Sequence, residues 1–234
     1  MTTASPLASR IDHLVVAAAS LAEGVEWCEK KLGITPGPGG EHPLMGTHNR
    51  LFLIASSTFP LVYLEIIAIH SGAAYTRAAG AKRWFDLDDV ELQAALRKTG
   101  PRLVHFVAST LLAEAGVRAL ARLGLDRGEV LPASRLTAQG ALRWKITVRE
   151  DGQRLFYGAL PTLIEWGPVH PAHSLPASGV ALQSLQARHP RSDALRASHE
   201  AIGLAGVAVA NGSPNLMATL QTPSGIVTLE SKGI

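Results

Sequence analysis

Two histidines and two glutamates are the residues of this sequence best suited to chemistry, and Glu65 is the most conspicuous of them. It lies in the apolar run 60–69, PLVYLEIIAI, which is typical of a strand buried on both faces. An ionised carboxylate in such a strand is costly unless a cation, a raised pKa or a metal ion compensates its charge. The sequence therefore predicts a partner for Glu65.

The elements around Glu65 read strand, helix, loop and at least two strands. Residues 11–18 are short and β-branched, and they carry His13 near their start. Residues 21–32 have the apolar spacing of an amphipathic helix, and a loop rich in Pro and Gly follows. Two further strands are predicted over 48–55 and 62–69, and Glu65 lies in the second of these.

The same order of elements recurs later in the chain, which indicates an internal repeat. A strand over 103–109 carries His105 in the place of His13, and a closing strand over 162–167 carries Glu165. The histidine and the glutamate are 52 positions apart in the first unit (65 − 13) and 60 in the second (165 − 105). A right-handed crossover brings the first strand of each unit beside its last, so each histidine is expected to face its own glutamate.

The predicted fold class is α+β, with paired βαβββ modules that form curved mixed sheets around a cleft. The first module covers residues 10–70, a helical connector covers 71–100, and the second module covers 101–170. A partial third module of βαββ type over 177–234 lacks the histidine. We expect this third module to be structural, closing a sheet or covering an edge.

Two imidazoles and two carboxylates that converge in one cleft suit Zn, Ni, Co, Mn or Fe, and the carboxylates neutralise the dication. Each residue also has an ordinary structural interpretation. A single histidine on an apolar strand is more often a hydrogen-bonded core or rim residue than a ligand. Glu65 would then be a buried carboxylate capped by backbone or Arg, and Glu165 a strand-end residue at the rim. The recurrence of the pair favours the metal site.

The arrangement resembles the vicinal oxygen chelate superfamily, which includes glyoxalase I, the extradiol dioxygenases and the bleomycin-resistance proteins. It is most similar to the glyoxalase-like group, through an Asp-His-Leu-Val opening at 12–15, the segment Gly-Thr-His-Asn at 46–49 and Ile-Glu-Trp at 164–166. The resemblance covers residues 10–170. It implies a divalent metal ion held by one residue from the first strand and one from the last strand of each module: His13, Glu65, His105 and Glu165.

Further candidates for substrate contact are expected near the mouth of the cleft: His48, Asn49, Arg50, Arg143 and Trp166. The two residues at 48 and 49 either orient a substrate oxygen or stabilise the preceding turn. Each arginine either clamps a substrate carboxylate or lies in solvent, and the tryptophan either lines a pocket or packs in the core. The histidines of the Pro-rich loops, at positions 42, 170 and 173, are expected to be exposed.

Composition restricts the classes of partner. The 234 residues are 47% hydrophobic and 18% charged, an ordinary globular balance, and the net charge of +3 is dispersed, so no nucleic-acid partner is expected. The single cysteine excludes an internal disulfide and a Cys-based zinc site, and it fits a cytoplasmic location. The sequence has no leader-like segment and no apolar stretch long enough to span a bilayer, so we expect a soluble protein.

The leading hypothesis is a glyoxalase-like, metal-dependent isomerase or lyase that acts on a small substrate with vicinal oxygens. The ion would stabilise an enediolate-like intermediate, and Glu165 or Glu65 would move the proton. One alternative is an Fe(II) dioxygenase. Another is a non-catalytic protein of the same fold that sequesters a small hydrophobic ligand. Pairing of the modules within one chain or across a homodimer is left open.

Overall fold

The first module forms the strand, the helix and the two later strands that its sequence predicts, in a computed structural model that describes residues 7–73, 76–137 and 140–233. It also has a two-residue strand, β2, in the segment predicted as a loop. Strand β1 connects through helix α1 to three further strands and lies parallel to the last of them, β4. This pairing is the one that a crossover connection requires. The bounds are β1 Ser9–Ala17, α1 Leu21–Leu32, β2 Glu41–His42, β3 Thr47–Leu53 and β4 Tyr63–Ile69.

Helix α1 is fixed by its two ends and by close packing on β4. The Ser20 hydroxyl accepts a hydrogen bond from the Glu23 amide, and Gly33 ends the helix with a φ of 72°. Gly24 faces β4, and a Cβ at this position would collide with the side chain of Ile66. The absence of that Cβ lets the helix approach the strand that carries Glu65.

The second module repeats the first and contains one strand that the sequence analysis missed. The sequence predicts a loop between the second amphipathic helix and residue 142, whereas residues 129–137 form strand β6. This strand contains Pro132 and lies at the end of the sheet, where a missing amide donor is tolerated. The bounds are α2 Val90–Thr99, β5 Arg102–Thr110, α3 Ala113–Ala121, β6 Glu129–Thr137, β7 Gly140–Val148 and β8 Thr162–Trp166.

The two modules join into one curved sheet within the chain. Its strand order is β2-β3-β4-β1-β5-β8-β7-β6, and β1 and β5 pair in antiparallel fashion at its centre. One apolar cluster, with Val15, Val107 and Trp144, lies on the concave face, and a second cluster, with Leu14 and Phe106, lies on the opposite face. The predicted fold class, α+β with curved sheets around a cleft, is confirmed.

The third module covers the outer face of this sheet. Its strands form a separate four-stranded sheet in the order β11-β9-β12-β13, and its apolar residues share the cluster of Leu14 and Phe106. The short strand β10 returns to pair with β1 of the large sheet. None of the described helices is long and apolar enough to cross a bilayer. The bounds are β9 Ala181–Arg188, α4 Ser192–Ala201, β10 Leu204–Ala205, β11 Val207–Ala210, β12 Asn215–Thr222 and β13 Gly225–Glu230.

Candidate functional site

The cleft contains two neighbouring cavities. The outer cavity has a volume of about 590 Å³ and the inner cavity a volume of about 40 Å³. Several side chains line both, which places the cavities side by side: His42, Trp84, Trp144, Ile146 and Trp166. The inner cavity is also lined by His13, Asn49, Glu65 and Arg135, four polar side chains that share a small space. We take the inner cavity as the candidate site.

A bulge in β1 places Asp12 beside His13. Ile11 pairs with Ala108 and His13 with Val107, so Asp12 has no partner on β5 and the strand is irregular there. Such an irregularity re-aims side chains, and here the Asp12 Oδ1 lies 2.7 Å from the His13 Nδ1. The carboxylate accepts from Nδ1, and the Nε2 of His13 therefore faces the cavity.

The Asp12 carboxylate is held by three donors although it is almost fully buried. Its Oδ1 accepts from His13, and its Oδ2 accepts from the Trp166 Nε1 and the His170 Nε2, both at 2.9 Å. The His170 Nδ1 accepts from the Ala172 amide, which assigns the proton of this ring to Nε2. Burial raises the pKa of Asp12, but hydrogen bonds from His13 and His170 outweigh it and hold the pKa well below the ordinary value. Asp12 is thus an ionised group behind the imidazole.

Glu65 is 5% exposed and is oriented by two neighbours. Its Oε1 accepts a hydrogen bond of 2.5 Å from the Asn49 Nδ2, and its Oε2 lies 3.6 Å from the His13 Nε2. The second distance is too long for a hydrogen bond, so Oε2 keeps its lone pairs. The partner that the sequence predicts for Glu65 is therefore an amide and an imidazole backed by a carboxylate.

His42 completes the polar wall of the inner cavity, and the prediction that it is exposed in a loop was wrong. Its Nδ1 lies 3.1 Å from the Thr47 Oγ1 and its Nε2 lies 3.4 Å from the Asn49 Nδ2. Burial lowers the pKa of His42 to about 4, against the opposing effect of the nearby Glu65. The ring is neutral near pH 7.

Strand register shows that the second module has Thr162, not Glu165, in the place of Glu65. The repeat relates Val15 to Val107, 92 positions apart, as it relates His13 to His105 (105 − 13 = 92). Val15 lies opposite Glu65 in the pairing of β1 with β4, and Val107 lies opposite Thr162 in the pairing of β5 with β8. The sequence prediction matched the two strands by their glutamates and so was displaced by three residues.

His105 is a fully buried histidine whose two nitrogens are both occupied. Its Nδ1 lies 3.0 Å from the Gly158 carbonyl oxygen, and its Nε2 accepts the Thr162 amide at 3.0 Å. Arg127, also buried, donates to the Thr162 hydroxyl and to the Pro161 carbonyl. Burial lowers the pKa of His105 well below the ordinary value, and its lone pair is already used by a backbone amide. The structure therefore gives His105 a place in the core.

Glu165 lies on the opposite face of β8 from the inner cavity and, with Lys145, lines part of the outer cavity. Its Oε2 accepts the Ala113 amide at 3.0 Å, at the first residue of helix α3, and its Oε1 lies 3.3 Å from the Lys145 Nζ. A carboxylate at a helix N-terminus is stabilised by the free amides there. The structure brings His13 and Glu65 together but not His105 and Glu165, and the described residues contain no group of three His, Cys, Asp or Glu side chains that could hold a metal ion. The predicted four-ligand site is not formed.

The remaining predicted residues divide between the two faces of the sheet. Asn49 and Trp166 belong to the site, as the contacts above show, and Arg143 lines the outer cavity. His48 and Arg50 alternate with Asn49 along β3 and line a separate hollow beside helix α1. The strand period therefore separates residues that the sequence analysis grouped together.

Replacing Glu165 with Ala should lower the free energy of unfolding by about 0.5–2 kcal/mol, the usual cost of losing a side-chain cap. The Ala113 amide loses its acceptor in this variant. Glu165→Gln keeps an acceptor oxygen at the same place and loses only the charge near the helix N-terminus, so it should cost about 0.3–1 kcal/mol. Urea unfolding of both variants measures the difference, and equal losses would show that the charge rather than the acceptor matters.

Sequence reasoning missed four contributors to the site: Asp12, His42, His170 and Arg135. Asp12 reaches the site through the bulge and His170 through a loop, whereas His42 lies on the short strand β2 and Arg135 on β6, both in segments that were predicted as loops. The one available signal was the adjacency of Asp12 and His13. In a regular strand, Asp12 and His13 would point to opposite faces. Their adjacency therefore indicates a contact only when the bulge is known.

Comparison with known proteins gives a family and a fold. The sequence profile of the glyoxalase-like domain matches residues 11–203. The comparison with curated proteins gives no match. A hypothetical protein from Staphylococcus aureus has a similar structure, with a TM-score of 0.58 and 13% identity, over 95% of this chain and 85% of that one. That similarity supports the fold.

Two methylmalonyl-CoA epimerase structures are also similar over part of the chain. The enzyme from Mycobacterium tuberculosis has a TM-score of 0.38 and 17% identity, over 72% of this chain and 92% of that one. A Streptomyces coelicolor enzyme in complex with 2-nitronate-propionyl-CoA has a TM-score of 0.40 and 19% identity, over 70% of this chain and 98% of that one.

Proposed function

Because this chain belongs to the glyoxalase-like domain family, we propose that it is an isomerase or lyase that moves a proton on a small substrate bound in the cleft. The observation that carries the proposal is the environment of Glu65. It is a buried carboxylate with one oxygen fixed by Asn49 and the other directed at the cavity beside His13. A carboxylate oriented in this way is suited to remove a proton from carbon.

The proposed step begins at the Glu65 Oε2. This oxygen takes a proton from the carbon next to a substrate carbonyl, the carbon–hydrogen bond breaks, and its electron pair moves onto the carbonyl oxygen to give an enolate. Return of the proton to the other face of that carbon, or to a neighbouring atom, gives an isomer. Expulsion of a leaving group from the adjacent carbon instead gives a lyase.

His13 and Asp12 can take the proton on from Glu65. When Glu65 is protonated, the His13 Nε2, 3.6 Å from Oε2, is a base that can accept the proton. The imidazolium that forms on proton transfer is stabilised by the ionised Asp12, which contacts the His13 Nδ1 at 2.7 Å.

The experiment is solvent proton exchange. The protein is incubated in D₂O with a panel of small ketones, 2-hydroxyketones and 2-substituted carboxylates, and loss of the proton signal next to the carbonyl is followed by NMR. Exchange into at least one compound, dependent on Glu65, supports the proposal. Saturable binding of panel members with no exchange in any of them would favour the sequestering protein instead.

A divalent ion held by His13 and Glu65 is the second candidate, with substrate oxygens completing its ligand shell. The observation that favours it is the Asp12 contact, because metal-bound imidazoles usually donate their other N–H to a carboxylate. Such an ion would supply Lewis-acid stabilisation of an oxyanion.

Calorimetric titration with Zn²⁺, Ni²⁺, Co²⁺, Mn²⁺ and Fe²⁺ tests the second candidate. We expect one ion per chain, lost in His13→Ala and kept in His173→Ala, which removes an exposed histidine of a neighbouring loop. Equal binding by the two variants would place the ion elsewhere.

A further inference from the structure

Resting on the proposed function, we propose that the substrate of this site is a carboxylate that Arg135 binds in the inner cavity, with an apolar or aromatic group in the outer cavity. The proposal names a substrate class that the family membership does not. Three features of the cleft support it: a guanidinium nitrogen of Arg135 that has no hydrogen-bond partner among the described residues, the packing of this group against Gly40, and the lining of the outer cavity.

Arg135 brings a positive charge into the inner cavity, and one nitrogen of its guanidinium lacks a hydrogen-bond partner among the described residues. It lies on β6, opposite Leu142 of β7, and lines the same cavity as His13 and Glu65. Its Nη1 is buried and has no hydrogen-bond partner among the described residues. A buried donor of this kind is costly unless a ligand supplies the acceptor. A guanidinium binds carboxylates through two parallel hydrogen bonds, so a carboxylate is the acceptor that fits best.

The guanidinium of Arg135 packs against Gly40, which is also connected to Glu65. A Cβ on residue 40 would collide with the Arg135 Nη1, so a side chain there would displace the guanidinium from its present place. The Gly40 amide donates to the Asn49 Oδ1 at 2.8 Å, and the Nδ2 of the same Asn49 donates to Glu65. The Asn49 side chain thus connects Gly40, against which Arg135 packs, to Glu65, the carboxylate that takes the proton. A substrate carboxylate on Arg135 would hold its neighbouring carbon near Glu65.

The outer cavity is suited to the rest of the molecule. Its walls include the indoles of Trp84, Trp144 and Trp166 together with Leu44, Met45 and Ile146. A volume of about 590 Å³ lies in the range of small-molecule sites, and aromatic walls favour flat or aliphatic groups. Because this cavity borders the inner one, a single compound can place its carboxylate at Arg135 and its apolar part between the indoles.

Equilibrium binding of three matched probes tests the proposal without turnover. The probes are 3-phenylpropanoate, its uncharged amide 3-phenylpropanamide, and propanoate, measured by calorimetry or by quenching of tryptophan fluorescence. We expect the aromatic carboxylate to bind about tenfold or more tighter than either of the others, since charge-assisted pairs and buried aromatic area each contribute at least that much.

Arg135→Gln should lower the affinity for the carboxylate probe about tenfold or more, because the charged pair is lost. It should change the affinity for the amide probe by less than about threefold. Arg135→Lys should recover part of the affinity. Arg97→Gln removes an equal charge from the exposed face of α2 and should leave all three probes unchanged. Thermal unfolding of each variant checks the fold.

Equal affinity of the amide and the carboxylate, an unchanged affinity in Arg135→Gln, or no binding of the carboxylate probe would each overturn the proposal. Its failure is separable from that of the proposed function. Arg135-dependent binding without proton exchange in any compound would support the carboxylate site and contradict the proposed enzyme activity. Exchange confined to neutral ketones would support the activity and contradict the carboxylate site.

Discussion

Glu65→Gln should lower the rate of proton exchange into a bound substrate by about 10²–10⁴-fold, the usual contribution of a positioned general base. Glutamine has the same shape and can still meet Asn49, but its amide takes no proton from carbon. Binding of 3-phenylpropanoate should survive, because Arg135 and the outer cavity are untouched. The measurement is NMR-detected exchange in D₂O, with calorimetric binding of the probe as the fold control.

Glu165→Gln is the matched control, because the sequence repeat assigns the two glutamates the same role. In the structure Glu165 accepts the Ala113 amide on the other face of β8. Its replacement should therefore lower the exchange rate far less than Glu65→Gln does. Comparable losses in the two variants would mean that both carboxylates act together, as the four-ligand prediction requires, and that strand β8 is arranged differently in the working enzyme.

The fold could be predicted from the sequence because its signals are local or repetitive. Hydrophobic periodicity indicates α1, and the apolar run around Glu65 indicates β4. The repeat of strand, helix and strands then predicts two like modules. Strand β6 has neither signal. Pro132 interrupts it, and its sequence EVLPASRLT shows no clear alternation of apolar and polar residues. The limits of the predicted modules, the cytoplasmic location and a homodimer remain predictions.

Half of the candidate site could be predicted from the sequence. The other half could not, because it depends on the register between two strands. The pair of His13 and Glu65 follows from one parallel pairing inside one module. Its counterpart in the second module depends on which residue of β8 lies opposite β5, and a shift of an odd number of residues moves a side chain to the other face. The sequence cannot fix that register, so it selected Glu165 where the structure has Thr162.

Asp12→Ala should lower the free energy of unfolding by about 3 kcal/mol or more, because each buried donor left without its acceptor costs about 1–3 kcal/mol. The carboxylate accepts from His13, Trp166 and His170, and all three donors lose their acceptor in the variant. Asp12→Asn keeps the volume and one oxygen and should cost less. Urea unfolding at pH 7 measures both. A loss below 1 kcal/mol for the alanine variant, on the order of a single surface pair, would contradict the network.

The pH dependence of the same variants separates charge from packing. Because the folded pKa of Asp12 lies below its ordinary value of 3.8, the unfolded chain binds this proton more readily than the folded one. The stability that the ionised carboxylate contributes is therefore complete above about pH 5 and is lost as the pH falls below 3.8 towards the folded pKa. The difference in unfolding free energy between the parent and Asp12→Asn should shrink over that range. A constant difference would mean that Asp12 acts through its volume, and the imidazole of His13 would then have no ionised partner to stabilise a proton passed on from Glu65.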